Sequence, residues 1–297
     1  MNRDLPFQPC PARRTPLRCA LLAAALVALA GCGGSGTGES DDSLSSSVAV
    51  TRARYQILDL ASGRVTAAGS VPDLATEASY RSTRMVFRLV DAGSATIGTS
   101  ASGLGAALDP AAASASVPSF YLAVFETTQA QWQVLAGSTP WTSLLSADGS
   151  DDVRVGDQYP AVGISHDLAT AAVAAYRGSR GVTLGLPGDS QWEFACRGGG
   201  GGTWAWGEDT SSATVAAAAV VWETAGSTRG ARTVGQRAAS ALGFFDLHGN
   251  VWELTREEHL RGGSWNDPLA TARAAHRPVI DPATRHLLAG VRLVYTP

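Results

Sequence analysis

Lysine is absent from this sequence: all 23 of its basic residues are arginine. Alanine and glycine are abundant, so the bias reads as a product of GC-rich coding, although arginine also suits bidentate recognition. Against 26 acidic residues the net charge is −3, which calls for neither a nucleic-acid partner nor an anionic membrane surface. Histidine is sparse too, and His166, His248, His259, His276 and His286 show no HExxH spacing. No GxSxG elbow and no phosphate-binding glycine loop occurs, which removes the zinc-peptidase, α/β-hydrolase and P-loop classes. The adjacent Ser165, His166 and Asp167 are no triad, because consecutive helical residues point about 100° apart and cannot converge on one substrate atom.

What is present begins with an export signal. Arg13, Arg14 and Arg18 precede an apolar run at residues 20–30, too short to span a bilayer and built like a secretory signal. The run ends at Leu29, Ala30, Gly31 and Cys32, which resembles a bacterial lipobox. That resemblance implies cleavage before Cys32, lipidation of its thiol and attachment to the membrane through the N-terminal lipid. Gly33 in place of an acidic residue favours the outer membrane, and the arginine pair fits either twin-arginine or Sec export. Residues 33–47 are mostly Gly, Ser and Asp with almost nothing to bury, a flexible tether of roughly 20 Å reach. The expected organisation is a signal peptide over 1–31, a tether over 32–48, a strand-containing extension over 49–84 and one domain over 85–297.

Within that domain the patterning predicts short strands at 55–60, 85–90 and 120–125. A helix over 129–136 follows, N-capped by Thr127 or Thr128 and closed by Gly137. A second helix starts from Ser165, turns Leu168, Ala172, Ala175 and Tyr176 inward, and stops at Gly178. A third covers 189–197, with Trp192, Ala195 and Cys196 on one face. Residues 98–118, nearly all Ala, Ser and Gly, read as loop, and after Thr203 the chain reads as loops and short strands to a closing strand at 291–295. Few regular elements and eight tryptophans fit an α+β class with an irregular, loop-rich half.

The stretch LGFFDLHGNVWELTREEHLRGGSW, residues 242–265, carries two clusters of glycine beside tryptophan. Only a residue without Cβ lets backbone pass close under large rings or take a positive φ. Other motifs stand in order: MVFRLVDAGSATIG from Met85, FYLAVFETTQAQW from Phe120, PAVGISHDLATAAVAAY from Pro160, LPGDSQWEFACRGG from Leu186, WAWGED from Trp204 and AGVRLV from Ala289. Together they resemble the formylglycine-generating enzyme, or sulfatase-modifying factor, family. The resemblance implies that family's variant of the C-type lectin fold.

It also implies which chemistry is missing. The aerobic enzymes of that family bind copper through two cysteines shortly after the GGS motif, and here residues 266–289 hold no thiol, so no copper is expected. Cys196 has no internal partner once Cys32 is lipidated, and its place on an apolar helix face reads as a buried filler. The related sulfoxide synthases need an HxxxHxE motif on a separate helical domain, which is also lacking. In the family, the DxxGNVWE segment holds a structural Ca²⁺; the resemblance carries that set to Asp246, Gly249, Val251 and Glu253, hard oxygen donors suited to such an ion. The same residues also suit a turn held by Asp and Asn hydrogen bonds without metal.

After Trp265, Arg273, Arg277, Pro282, Arg285, Gly290 and Arg292 punctuate unrelated residues. This resembles the variable region of proteins diversified by retroelements, several of them surface lipoproteins on the same scaffold. The expected function is a lipid-anchored surface protein that binds a protein or glycan ligand through Leu269, Ala270, His276, Val279, Ile280, Asp281, His286, Leu287 and Leu288. The alternative is a sulfatase-modifying-factor-type enzyme acting in the periplasm.

Overall fold

The structure, a computed structural model, describes residues 52–99, 104–144, 152–198, 200–227 and 229–297. The signal peptide, the tether and Cys32 lie outside these residues. The described part is one compact unit built on an antiparallel sheet of six strands in the order β2-β1-β3-β6-β11-β7. Its strands are β1 (Tyr55–Asp59), β2 (Val65–Ala68), β3 (Arg84–Val90), β6 (Phe120–Ala123), β7 (Thr183–Gly185) and β11 (Val294–Thr296). Between β3 and β6 the chain makes a hairpin, β4 (Gly93–Ile97) with β5 (Ala113–Val117). A three-stranded sheet, β10-β8-β9, is formed by β8 (Trp252–Leu254), β9 (Leu260–Arg261) and β10 (Ala289–Gly290), with β10 parallel to β8.

Strand β6 shows why the sheet is central. Successive side chains leave a strand on opposite faces, so Phe120 and Leu122 join one hydrophobic cluster, with Trp192 and Phe244, while Tyr121 and Ala123 join another, with Phe87, Trp132 and Trp265. All four are buried. Strand β1 pairs with β3 along Tyr55 to Asp59, so the boundary expected at residue 85 falls inside a continuous sheet and the extension is part of the domain.

Helix α1 (Gln129–Ala136) starts at Thr128 with a capping box to Gln131 and ends at Gly137 in the left-handed region. Helix α2 (His166–Arg180) buries Ala169, Ala172, Val173 and Tyr176, so Ala172 and Tyr176 face inward as expected and Leu168 packs partly buried against the core, while Ala175 is exposed. It also runs past Gly178 to Gly181, whose φ of 72° and bond to Arg177 O make the stop. A glycine ends a helix by turning left-handed, and Gly178 does not. Helix α3 (Asp189–Arg197) matches its expected bounds. Two stretches differ from expectation: β5, paired with β4, lies inside residues 98–118, which were expected to be loop, and α4 (Ser212–Ala218) lies where loops and short strands were expected.

Candidate ligand-binding site

The turn from 261 to 267 is shaped by two glycines. Gly262 (φ 86°) and Gly263 (φ 77°) take left-handed backbone. A Cβ on Gly262 would lie 3.3 Å from the Trp192 ring, and one on Gly263 would lie 2.9 Å from Ala272 Cα. This close passage delivers Ser264 and Trp265 to fixed places. Ser264 Oγ and Trp252 Nε1 (2.8 Å) both donate to Asp267 Oδ2. Trp222 N–H donates to Asp267 O at 2.9 Å, and Glu223 accepts from Leu269 N–H at 3.1 Å.

A cleft of about 250 Å³ opens beside this turn, lined by Trp222, Glu223, Ala225, Gly226, Arg229 and Trp265. Trp222 is 59% exposed although its backbone is pinned. Trp265 is buried, and the Arg229 guanidinium sits 5.3 Å from its ring centroid while donating twice to Asp152, at 2.7 and 2.8 Å. An exposed indole face, a guanidinium and a carboxylate on rigid backbone are binding chemistry.

Ser264, Asp267 and His286 lie in one neighbourhood without forming a nucleophile. Ser264 donates to the carboxylate itself, and His286 Nδ1 accepts from Leu288 N–H at 3.1 Å, so no base is aimed at the hydroxyl. Burial raises Asp267 above the usual carboxylate range and lowers His286 below the usual imidazole range, which favours the neutral form of each.

The nine expected ligand contacts do not form one surface. Leu269, Ile280 and Leu288 are core residues, and His276 is buried with its ring 5.9 Å from that of Trp252, which corrects the expectation for these four. Apolar side chains on short loops are drawn inward because the domain has few regular elements to fill its interior. Ala270, His286 and Leu287 are partly exposed, and Val279 and Asp281 are exposed. The punctuating arginines are framework. Arg292 reaches Glu253, Ala123 O, Val124 O and Phe245 O; Arg285 reaches Gly163 O; Arg277 reaches Asp189; Arg273 reaches Leu104 O and Asp109.

The expected calcium set is also spoken for. Both Glu253 oxygens accept from Arg292 (2.6 and 3.0 Å) and Oε2 from Trp192 Nε1 (2.6 Å), while Asp246 Oδ2 accepts from Gly235 N–H at 2.6 Å. Among the described residues no three His, Cys, Asp or Glu side chains are grouped to hold a metal. These residues do not fit a calcium ion, because the positive charge facing Glu253 is Arg292. Burial pushes Asp246 up to about 6, and burial with repulsion from Asp246 and Glu253 pushes Glu126 well above the ordinary carboxylate range.

Cys196 is buried, its Sγ 3.3 Å from His248 Nε2. His248 Nδ1 lies 2.6 Å from Ala272 O, so it carries the proton, and Nε2 accepts from Ala205 N–H at 2.9 Å and from the thiol. Burial lowers His248 to about 4 from the ordinary 6.5 and raises Cys196, so both stay neutral. The unfolded chain binds a proton at His248 that the folded one refuses between pH 6.5 and about 4. Stability from this site is therefore full above pH 6.5 and lost as pH falls toward 4, by about 3 kcal/mol. Asp246 acts in reverse, since its raised value costs stability as pH rises from about 4 to about 6. Urea unfolding from pH 4.5 to 7 should show His248→Asn abolishing the acid loss and leaving a slope of opposite sign.

The sulfatase-modifying factor enzyme 1-like domain model matches residues 72–297. The chain belongs to this family. A formylglycine-generating enzyme of Mycobacterium tuberculosis is 30% identical over 136 residues, which cover 43% of this chain and 42% of the relative, so the chain spans less than half of that enzyme's length. Among solved structures, the Treponema denticola variable protein 1 aligns with a TM-score of 0.61 at 18% identity over 72% of this chain and 96% of that one. PvdO from Pseudomonas aeruginosa aligns with a TM-score of 0.62 at 19% identity over 71% and 94%. At these identities the likeness establishes the α+β, formylglycine-generating-enzyme-like fold and no more. Trp222, Arg229 and Asp152 escaped the sequence reading; the one cue was a tryptophan in a glycine- and threonine-rich turn.

Proposed function

We propose that this family member is a ligand-binding lipoprotein of the bacterial envelope, tethered through a lipid on Cys32 in the outer membrane and presenting the Trp222 cleft to a protein or glycan. The observation that carries this reading is the turn after GGSW. Where the resemblance expects thiols, the chain has none, and Asp267 instead anchors the backbone that displays Trp222. Of the contacts expected from the sequence, Ala270, Val279, Asp281 and His286 reach solvent without belonging to a core cluster, so on this reading they are where retroelement diversification would leave the core undisturbed.

Soluble protein lacking residues 1–32, screened on glycan and envelope-protein arrays, should bind a ligand. Trp222→Ala should weaken that binding about tenfold or more, since exposed indoles dominate such interfaces, and should leave the melting temperature unchanged. If the protein with added copper converts cysteine to formylglycine in a sulfatase-derived peptide, the enzyme reading replaces this one.

A further inference from the structure

Strand β2 closes one end of the six-stranded sheet and has a partner on one side only, β1. Asp59 N–H donates to Arg64 O at 2.9 Å, which turns the Arg64 carbonyl toward β1. In an antiparallel ladder that orientation alternates along the strand, so Thr66 and Ala68 also bond toward β1 while the N–H and C=O of Val65 and Ala67 face outward. Among the described residues nothing bonds to those outward groups. Sheet edges are normally guarded by a charge, a proline or a bulge. None falls within β2, and Thr66 and Ala67 are exposed. The opposite edge is guarded, since β7 is three residues long with only Leu186 between it and Pro187.

The residues just ahead of β1 lead away from this rim. Ala53 O accepts from Tyr121 Oη at 2.6 Å and Arg54 O accepts from Leu89 N–H at 2.8 Å, so the chain enters β1 from the side of β3 and β6. A second copy of the chain fits the rim because the edge is complementary to itself. With two β2 strands laid antiparallel about a two-fold axis at Thr66, Val65 of each copy faces Ala67 of the other, and each such pair can exchange both backbone bonds. The two Thr66 side chains then meet across the axis at a position where side chains lie closest, a favourable cross-strand pair. Arg64 falls opposite Ala68, which sets the two arginines about 14 Å apart along the edge, beyond a Debye length. We propose that β2 is a self-association edge, through which two copies of this chain pair antiparallel and join their sheets.

Sedimentation equilibrium on the soluble protein lacking residues 1–32, from about 10 μM to about 1 mM, should show monomer converting to dimer. In NMR hydrogen exchange, the Val65 and Ala67 amides should become protected as concentration rises. Ala67→Pro removes an outward N–H and no bond to β1, and an edge strand accepts proline. It should weaken the dimer about tenfold or more and leave the monomer's melting temperature unchanged. Thr66→Lys, at an exposed side chain, is the second variant. It sets two ammonium groups across the axis, so the dimer lost at low salt should return in part at about 1 M salt. Trp222→Ala should dimerise like the parent. A chain that stays monomeric at every concentration, with the rim bare or taking a strand of another protein, would overturn the proposal, as would a dimer that survives both variants undiminished.

Discussion

Replacing Arg292 by methionine is expected to cost about 3–5 kcal/mol, the scale for stripping one partner from a buried ion pair. Against a typical total of about 5–15 kcal/mol, that leaves the domain at the edge of unfolding. Arg292 is fully buried and faces Glu253, with Asp246 and Glu126 close enough to raise each other's proton affinity. Without the guanidinium, Glu253 keeps only Trp192 Nε1, the carbonyls of Ala123 and Phe245 lose the Arg292 donor, and Val124 O is left with the Phe245 N–H alone. Urea unfolding measures the loss. The double change Arg292→Met with Glu253→Gln should recover part of it, because the uncompensated charge is then gone. A single variant as stable as the parent would mean that Arg292 does not hold this core together.

Gly249→Ala is expected to be comparably severe, at about 3 kcal/mol or more. Its φ is 83°, and a Cβ there would lie 2.0 Å from Val220 O, the atom that accepts from Asn250 N–H at 2.7 Å. The methyl must push away the backbone bridge that joins the GNVWE turn to the segment leading into Trp222. Gly178→Ala is the contrasting substitution. Gly178 lies inside α2 with nothing within 4 Å of an added Cβ, so alanine should stabilise by about 0.5–1 kcal/mol. Equal effects at the two positions would show that the close approach at Gly249 carries no weight.

The parts legible in the sequence were those encoded locally. Thr128 with Gln131, Ser165, and the terminal glycines specify helix ends through their own hydrogen bonds and φ preferences, and α1 and α3 came out at their expected bounds. The glycines of GNVWE and RGGSW announced close backbone approach for the same reason. Strand β5 was hidden because its alternation is made of Ala and Ser, too little apolar surface to mark a face; Ile97 and Val117 are buried in the core, with Ala95 and Ala115 packed partly buried beside them. Helix α4, seven residues with one buried side chain, is too short to show a period. The cleft was hidden because Arg229 meets Asp152 across 77 positions. Leu269, Ile280 and Leu288 were read as contacts from the spacing of the arginines around them, although their apolar side chains already pointed to the interior.

Strand β11 enters the main sheet between β6 and β7, which precede it in the chain by more than a hundred residues. Until that late segment arrives, β6 and β7 each keep an open rim of unpaired amides and carbonyls. The nascent polypeptide therefore cannot reach its final shape piecemeal, and a chaperone that shields those rims would act where the young chain is most prone to pair with a neighbour.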